Sequence, residues 1–459
     1  MSLIPRDNAL GSSAEHDEAS QAFRALRKLA HRKIQSLPFD TVGGQWLRLY
    51  VDATVGLVLT ETIIPKEDYH RVSESIKALD MAIIVAGATG REDEIQLLIR
   101  VLQDGRFRQA SEDIQKKIQQ EKSSQGSPSA YGRPSKRQCM LDHAGASGRQ
   151  PIPCLEKPPT MTQFIAHERN KPFILRRYIA ESDEISNPYG LSWPAVDQWK
   201  SMDYLLGLVG EDRVVPVEIG SSYTDAAWTQ TIVPFRAFLE SVGYGRLDCQ
   251  ADDPATQRTD APMYLAQYSL LKQFPELERD IVMPDYVYSA PPAPDCFPGY
   301  KPPGNEEELV INVWVGSGQG KVTSPPHTVS RVDGETTMNC RAEGDIIPSG
   351  QDPYYNCYAQ VLGRKRVWLA PPSIGPYMYA HGGCPNDEAE VYATNTSQVP
   401  VFELSSSDRT KYPHFFEQVE AECMEEILEP GDMLFMPPGW WHAMRGEGTT
   451  FAWSVSMWF

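Results

Sequence analysis

Leu428–Phe459, LEPGDMLFMPPGWWHAMRGEGTTFAWSVSMWF, is the stretch that decides how the chain reads. Pro430-Gly431-Asp432 makes a tight turn, Met433 to Met436 a short apolar run, and Pro437-Pro438-Gly439 a second turn. Trp440, Trp441 and His442 begin a second strand. Phe451 to Phe459 supply a third, along which Trp453, Val455 and Met457 alternate. Short alternating runs punctuated by Gly and Pro predict small antiparallel β-structure. One histidine, His442, then stands at a strand start among bulky apolar neighbours. A lone histidine there is usually a packed or hydrogen-bonded one; a second histidine and a carboxylate on another strand would make it a metal ligand.

The 459 residues are enough for two or three domains, and 41% apolar residues support a sizeable core. No apolar run has the length of a membrane span, and the first thirty residues are polar and charged, so the expectation is an intracellular chain without membrane contact. None of the eight cysteines is spaced C-x-x-C, which points to reduced thiols rather than a zinc ribbon. The net charge of -18 argues against nucleic acid as a direct partner and suits a basic peptide, although an acidic surface is more often simply a soluble one.

Residues 1–121 read as a helical domain. Ala22, Leu26, Leu29 and Ile34 recur at helical spacing; Trp46 to Leu59 is apolar nearly all round. A third helix runs from about Glu67 to Ala86, a fourth carries Ile95, Leu98, Ile99 and Val101, and Arg108 to Glu121 is a charged fifth. Such a domain serves as a docking module or as a brace for the second domain. Residues 122–153, rich in Ser, Gly and Pro, read as a disordered linker. In it Arg133, Lys136 and Arg137 form a weak nuclear-import patch or plain solvated charge. From 154 to 459 short strand-like pieces dominate: Pro172–Leu175, Val214–Ile219, Met263–Ala266, Leu309–Val315, Tyr358–Val361 and Arg366–Leu369, with a helix over Trp193–Leu208. Many short strands with turn punctuation predict a sandwich or barrel.

Upstream of His442 lie Thr323-Ser324-Pro325-Pro326-His327 and then Asp352-Pro353-Tyr354-Tyr355-Asn356, followed by Gln360-Val361-Leu362-Gly363-Arg364-Lys365. With YLAQYSLLKQFPEL from Tyr264, INVWVG from Ile311, NTSQV from Asn395 and SVSMW from Ser454, these pieces resemble the JmjC branch of the Fe(II)- and 2-oxoglutarate-dependent oxygenases. They are most similar to its lysine-specific demethylase eight group, also called jumonji domain-containing protein five. The resemblance runs from about Pro158 to Phe459. It implies an α+β chain: a double-stranded β-helix (cupin-like jelly roll) behind an N-terminal α-helical domain. It also implies Fe(II) as cofactor, 2-oxoglutarate and O2 as co-substrates, and a protein or peptide substrate, for which a histone tail is one candidate.

The chemistry accounts for these residue types. A non-haem iron oxygenase holds its metal with two imidazoles and one carboxylate and keeps the remaining positions open. Residues two apart on a strand lie on one side, so His-x-Asp supplies two ligands, and His442 on a facing strand supplies the third. The metal set that the resemblance implies is His327, Asp352 and His442. The far carboxylate of the keto-acid needs a buried cation and hydroxyls. Lys365 is the candidate cation, with Tyr264, Ser324 and Asn356 as polar partners; by resemblance Gln267 and Trp458 line the same pocket. Each has a plainer alternative: Gly-Arg-Lys often marks an exposed hairpin, and Tyr264 and Trp458 suit a core.

One departure stands out. In the family the aspartate follows the first histidine by two residues, whereas here Val329 to Gln351 intervene. Without those 23 residues the text is SPPHT-DPYYN, an intact His-x-Asp. The segment reads as a retained intron: Val329-Ser330 is encodable as GTGAGT, a splice donor, and Gln351 as CAG, an acceptor end. If the insertion is real, a loop bulging outward returns Asp352 to the site, since each doubling of loop length costs only roughly 0.6 kcal/mol. Asp333 or Asp345 are the other acidic choices. The expected function is 2-oxoglutarate-dependent oxygenation of protein, as histone lysine demethylase or arginyl hydroxylase, in nucleus or cytoplasm. The competing expectations are a catalytically silent JmjC scaffold, because the metal motif is split, and a small-molecule cupin with no need of Lys365.

Overall fold

Register in two facing sheets turns the alternation of the sequence into one buried interior. The computed structural model describes residues 13–37, 42–62, 69–105, 149–220, 228–245, 262–304, 308–317, 323–327, 354–380, 396–448 and 451–459. These fall into two compact units, Met1–Ala146 and Ser147–Phe459.

In the first unit α1 (Ser13–Ser36), α2 (Gly44–Thr62), α3 (Tyr69–Ala86) and α4 (residues 92–105) pack around Tyr50, Val51, Val58, Leu79, Ala82, Ile95 and Ile99. The all-round apolar α2 is central because two helices need its opposite faces. Asp52 ties the unit together, accepting from Arg48 Nε at 3.1 Å and Arg91 Nε at 3.0 Å. The expected helix over Arg108 to Glu121 lies outside the described residues.

The second unit is a double-stranded β-helix. Its larger sheet contains β1 (Cys154–Leu155), β2 (Phe173–Leu175), β3 (Val214–Ile219), β4 (Thr229–Pro234), β5 (Met263–Tyr268) and β6 (Val310–Ser317), with β8 (Asn356–Leu362), β11 (Met433–Met436) and β13 (Phe451–Trp458). They are ordered β1-β2-β11-β8-β13-β6-β5-β3-β4. The smaller sheet is β10 (Met424–Leu428), β9 (Arg364–Ala370), β12 (Trp441–Glu447) and β7 (Thr323–His327), in that order. Between the sheets Ile174, Tyr358, Val367, Leu369, Leu428, Leu434 and Met436 form a core. On the outer face of the smaller sheet Trp368, Ala370, Trp441 and Ala443 pack under Tyr412, Phe415 and Val419. Strands covered on both faces read as continuous apolar runs.

Two expectations change. Trp193–Leu208 is not one helix: Ala195–Gln198 ends at Trp199, and Met202–Val209 starts afresh at Ser201, whose side chain accepts from Tyr204 N. A serine that captures a backbone N–H begins a helix rather than continuing one. The described end of the stretch read as linker, residues 149–153, already belongs to the barrel. There Gln150 bridges Met424, Arg149 pairs with Glu425, and Ile152 is buried in the interior core.

The opening stretch folds as its turns require. Buried Asp432 accepts from the backbone N–H groups of Arg177 and Glu429, each at 2.9 Å, and from Arg176 Nη1 at 2.6 Å. One carboxylate thus closes the turn that starts β11 and anchors it to the end of β2.

Candidate active site

Register alone assembles a polar face inside the barrel. In the larger sheet Ser456 lies opposite Tyr358 on one side and Asn312 on the other; Trp458 lies opposite Asn356; Tyr264 lies opposite Gly316 and Glu218. Residues two apart on a strand share a face, so Asn312, Trp314 and Gly316 of β6, Ser456 and Trp458 of β13, and Asn356 and Tyr358 of β8 line one surface. In the smaller sheet Lys365 lies opposite Gly446, and Leu369 opposite His442. Lys365, Val367 and Leu369 thus share the inner face with His442 and Met444.

Lys365 is 4% exposed. Its Nζ donates to the hydroxyls of Tyr358 at 2.6 Å and Tyr264 at 3.1 Å. The rings of Tyr358, Tyr264 and Trp314 surround it with centroids 5.3, 5.8 and 6.0 Å away. It forms no ion pair among the described residues, and burial pulls its pKa down to about 7. The hairpin alternative therefore fails: Gly363, at φ 66°, takes the turn, and alternation then sends Lys365 inward. Gly316 makes room for the tyrosine, because a Cβ there would come within 2.1 Å of the Tyr264 ring. Glu218, half-buried opposite Tyr264, has its carboxyl raised to about 7 by burial.

Four buried groups around this face have no hydrogen-bond partner among the described residues: Asn312 Nδ2, Trp314 Nε1, Ser456 Oγ and Trp458 Nε1. Buried polar groups are nearly always paired. Three N–H donors and a hydroxyl, beside a cation with no ion pair among the described residues, have the chemistry to receive an anionic, acceptor-rich ligand.

His442 stands at the other end of the inner face. It is 6% exposed, its Nδ1 lies 3.2 Å from the Trp440 carbonyl, and burial lowers its pKa to about 4, so the ring is neutral at physiological pH. A carbonyl that holds Nδ1–H would leave Nε2 as the nitrogen able to take a metal. The backbone of His327 lies directly opposite His442, at the end of edge strand β7. The register slips between His442 and Met444, where β7 carries Pro325 and Pro326. Proline has no N–H for the ladder and is tolerated at such an edge. The slip leaves Ser324 opposite Met444, so the positions of both His327 and Ser324 belong to the inner face. His442 and Lys365 are four residues apart along the paired strands, about 13 Å of strand, room for a five-carbon diacid between them.

Of the expected site, the structure brings Tyr264 and Lys365 into contact and places Asn356 and Trp458 on the same face. It puts the backbones of His327 and His442 side by side. Gln267 occupies a bulge of β5 at φ 45°, outside the direct hydrogen bonds of Lys365. Asp352, with Asp333 and Asp345, lies outside the described residues. Tyr358, Asn312, Trp314 and Ser456 escaped the sequence reading. The alternation Asn356-x-Tyr358 ahead of the Gly363 turn was the available signal for the first; the others need the strand order.

Two sheets of this topology rolled around one interior have the architecture of a cupin. The profile of the cupin-like domain family matches residues 166–459, and the chain belongs to that family, in its JmjC branch. It is 26% identical over 438 residues to lysine-specific demethylase JMJ30 of Arabidopsis thaliana, covering 95% of this chain and 85% of that protein. It is 30% identical over 334 residues to lysine-specific demethylase 8 of Xenopus tropicalis, covering 70% of this chain and 58% of the relative. With Jumonji C domain-containing protein 5 of Drosophila melanogaster it shares 33% over 267 residues, 58% of this chain and 52% of the relative. The chain thus spans only a little over half the length of the latter two. Among the described residues no helix is long and apolar enough to cross a membrane.

Proposed function

We propose that the chain is an Fe(II)- and 2-oxoglutarate-dependent oxygenase of protein side chains. The observation that carries this reading is Lys365: a buried cation with no carboxylate partner among the described residues, held by two tyrosine hydroxyls beside four unmatched donors. Keeping such a cation desolvated is costly unless an anion completes it. The far carboxylate of 2-oxoglutarate fits, and its keto-acid end would reach toward His442.

His327, Asp352 and His442 would hold the iron. When bound with the keto-acid and O2, iron supplies hydroxylation of a C–H bond, with release of succinate and carbon dioxide. The chain's part is positional. Lys365, Tyr264 and Tyr358 orient the diacid; the Trp440 carbonyl orients the His442 ring; Leu369, Leu434 and Met436 keep the interior dry. On a methyl-lysine the hydroxylated product loses formaldehyde; on an unmethylated side chain it is a stable alcohol. Relatives named lysine-specific demethylases support the first outcome, with a histone tail in the nucleus or cytoplasm as substrate. Arginyl hydroxylation is the second outcome. Mass spectrometry of histone and ribosomal peptides tests the reading: a loss of about 14 Da marks demethylation and a gain of about 16 Da hydroxylation. Unchanged peptides with the iron-loaded chain, with and without Val329–Gln351, would refute it.

The insertion favours a second reading, a catalytically silent JmjC scaffold. Restored succinate formation after removal of Val329–Gln351, and none before, would support it for the chain as written.

A further inference from the structure

At the start of β6, residues 287–291 with Tyr300 and Pro302 help line an open pocket of about 190 Å³. Tyr288, Tyr300, Pro291, Pro302 and Phe459 supply its apolar walls, and Glu308 supplies a carboxylate. The wall is braced from behind. Tyr300 meets fully buried Tyr355 edge-on at 4.8 Å; Tyr355 stacks against Phe459 at 5.8 Å and donates to the Pro292 carbonyl at 2.8 Å. Tyr288, by contrast, is 70% exposed. Glu308 holds φ 50°, a left-handed conformation that non-glycine residues rarely adopt, and makes no hydrogen bond or ion pair among the described residues. Burial, and next the Glu308 charge, push the Tyr300 phenol up to about 12, so carboxylate and ring are neighbours.

The position matters as much as the lining. Glu308 lies two residues before Val310, which is opposite Trp458, which in turn is opposite Asn356 at the start of β8. The start of β8 and the end of β9, where Leu369 meets His442, lie together, away from the Gly363 turn that joins the two strands. The pocket therefore lies at the barrel end that carries the candidate metal ligands, with Phe459 on the sheet face opposite to Trp458.

We propose that this cavity receives the cationic side chain of an arginine or lysine from a basic segment of the protein substrate, beside the residue being oxidised. Aromatic faces attract cations, and a carboxylate beside them adds charge matching. An apolar occupant would gain nothing from exposed Glu308, and an anion would be repelled by it. The net charge of -18 steers a basic segment toward the chain. As a substrate subsite the cavity rests on the protein-oxygenase reading; as a cation pocket it is measurable without turnover.

The test uses the full chain and a fluorescein-labelled peptide of alternating glycine and arginine, read by anisotropy at low salt. Glu308→Gln and Tyr288→Ala should each weaken binding about fivefold. Glu184→Gln, the same charge change at an exposed site elsewhere, should change it about twofold or less. Tyr288 is exposed enough for its truncation to leave the fold intact, and thermal midpoints check this. Glu308→Gln and Tyr288→Ala binding no worse than Glu184→Gln would overturn the pocket. Succinate formation without peptide, measured on the same proteins, should be unchanged in both pocket variants. Absent turnover in every protein, with pocket-dependent binding intact, would sink the oxygenase reading and leave the cation pocket standing.

Discussion

Replacing Lys365 with methionine separates what the lysine costs the fold from what it contributes to the ligand. In the free protein the ammonium is buried among three aromatic rings, and its pKa falls from 10.5 to about 7. That fall corresponds to on the order of 5 kcal/mol of stability forgone near neutral pH. The sign is unambiguous. The unfolded chain holds the lysine proton up to pH 10.5 and the folded chain only to about 7, so this contribution becomes less unfavourable as pH rises across that window. Lys365→Met removes the burdened group and leaves the Tyr264 and Tyr358 hydroxyls without their donor, at roughly 1 kcal/mol each. The free variant should therefore be about 3 kcal/mol more stable than the parent at pH 7. Its stability should also lack the lysine's share of the rise between pH 7 and 10.5. For 2-oxoglutarate the effect reverses: loss of the buried cation should cost about 2–5 kcal/mol of binding, roughly a thirtyfold to several-thousandfold weakening. Denaturant unfolding across pH and calorimetric titration with 2-oxoglutarate measure the two halves. A variant less stable than the parent, or one that binds 2-oxoglutarate as well, would refute the reasoning.

His442→Ala should abolish the thermal stabilisation conferred by Mn(II) or Co(II); an unchanged midpoint shift would remove His442 from the metal set. Gly316→Ala drives a Cβ to 2.1 Å from the Tyr264 ring, so overpacking should cost about 1–3 kcal/mol of stability and weaken 2-oxoglutarate binding, both readable in one thermal-shift series. Removing Val329–Gln351 should restore a two-residue spacing between His327 and Asp352 and raise metal affinity at least about tenfold, since affinity follows preorganised ligand geometry. Sequenced transcripts should include messages that lack this stretch; messages that all contain it would refute the intron reading.

The local devices of this fold were open to view in the chain. Pro430-Gly431-Asp432 and Gly363 announce turns, and the apolar piece Val214–Ile219 and the alternation along Phe451–Phe459 announce strands. The spacing Gly363-Arg364-Lys365 reads alike in an exposed hairpin and in a buried site; the apolar residues around it, Leu428 beside it in the smaller sheet and Leu434 in the larger one, decide which. Tyr358 meets Lys365 across the barrel, and Ser456 meets Asn312 through a β13–β6 pairing of strands far apart in the chain. No local pattern encodes those partners. The same holds for His327 and His442, whose strands become neighbours only because β12 enters the smaller sheet between β9 and β7. The Ser201 break was within reach, since an N-cap serine ahead of an apolar run is a start signal.

The most direct test follows 2-oxoglutarate itself. The chain without Val329–Gln351 is loaded with Fe(II), supplied with O2 and ascorbate, and assayed by NMR for succinate. Succinate that accumulates with this chain and vanishes in both Lys365→Met and His442→Ala is the predicted result. An iron-loaded, folded chain that leaves the keto-acid intact, or that makes succinate equally well without Lys365 and His442, would contradict it.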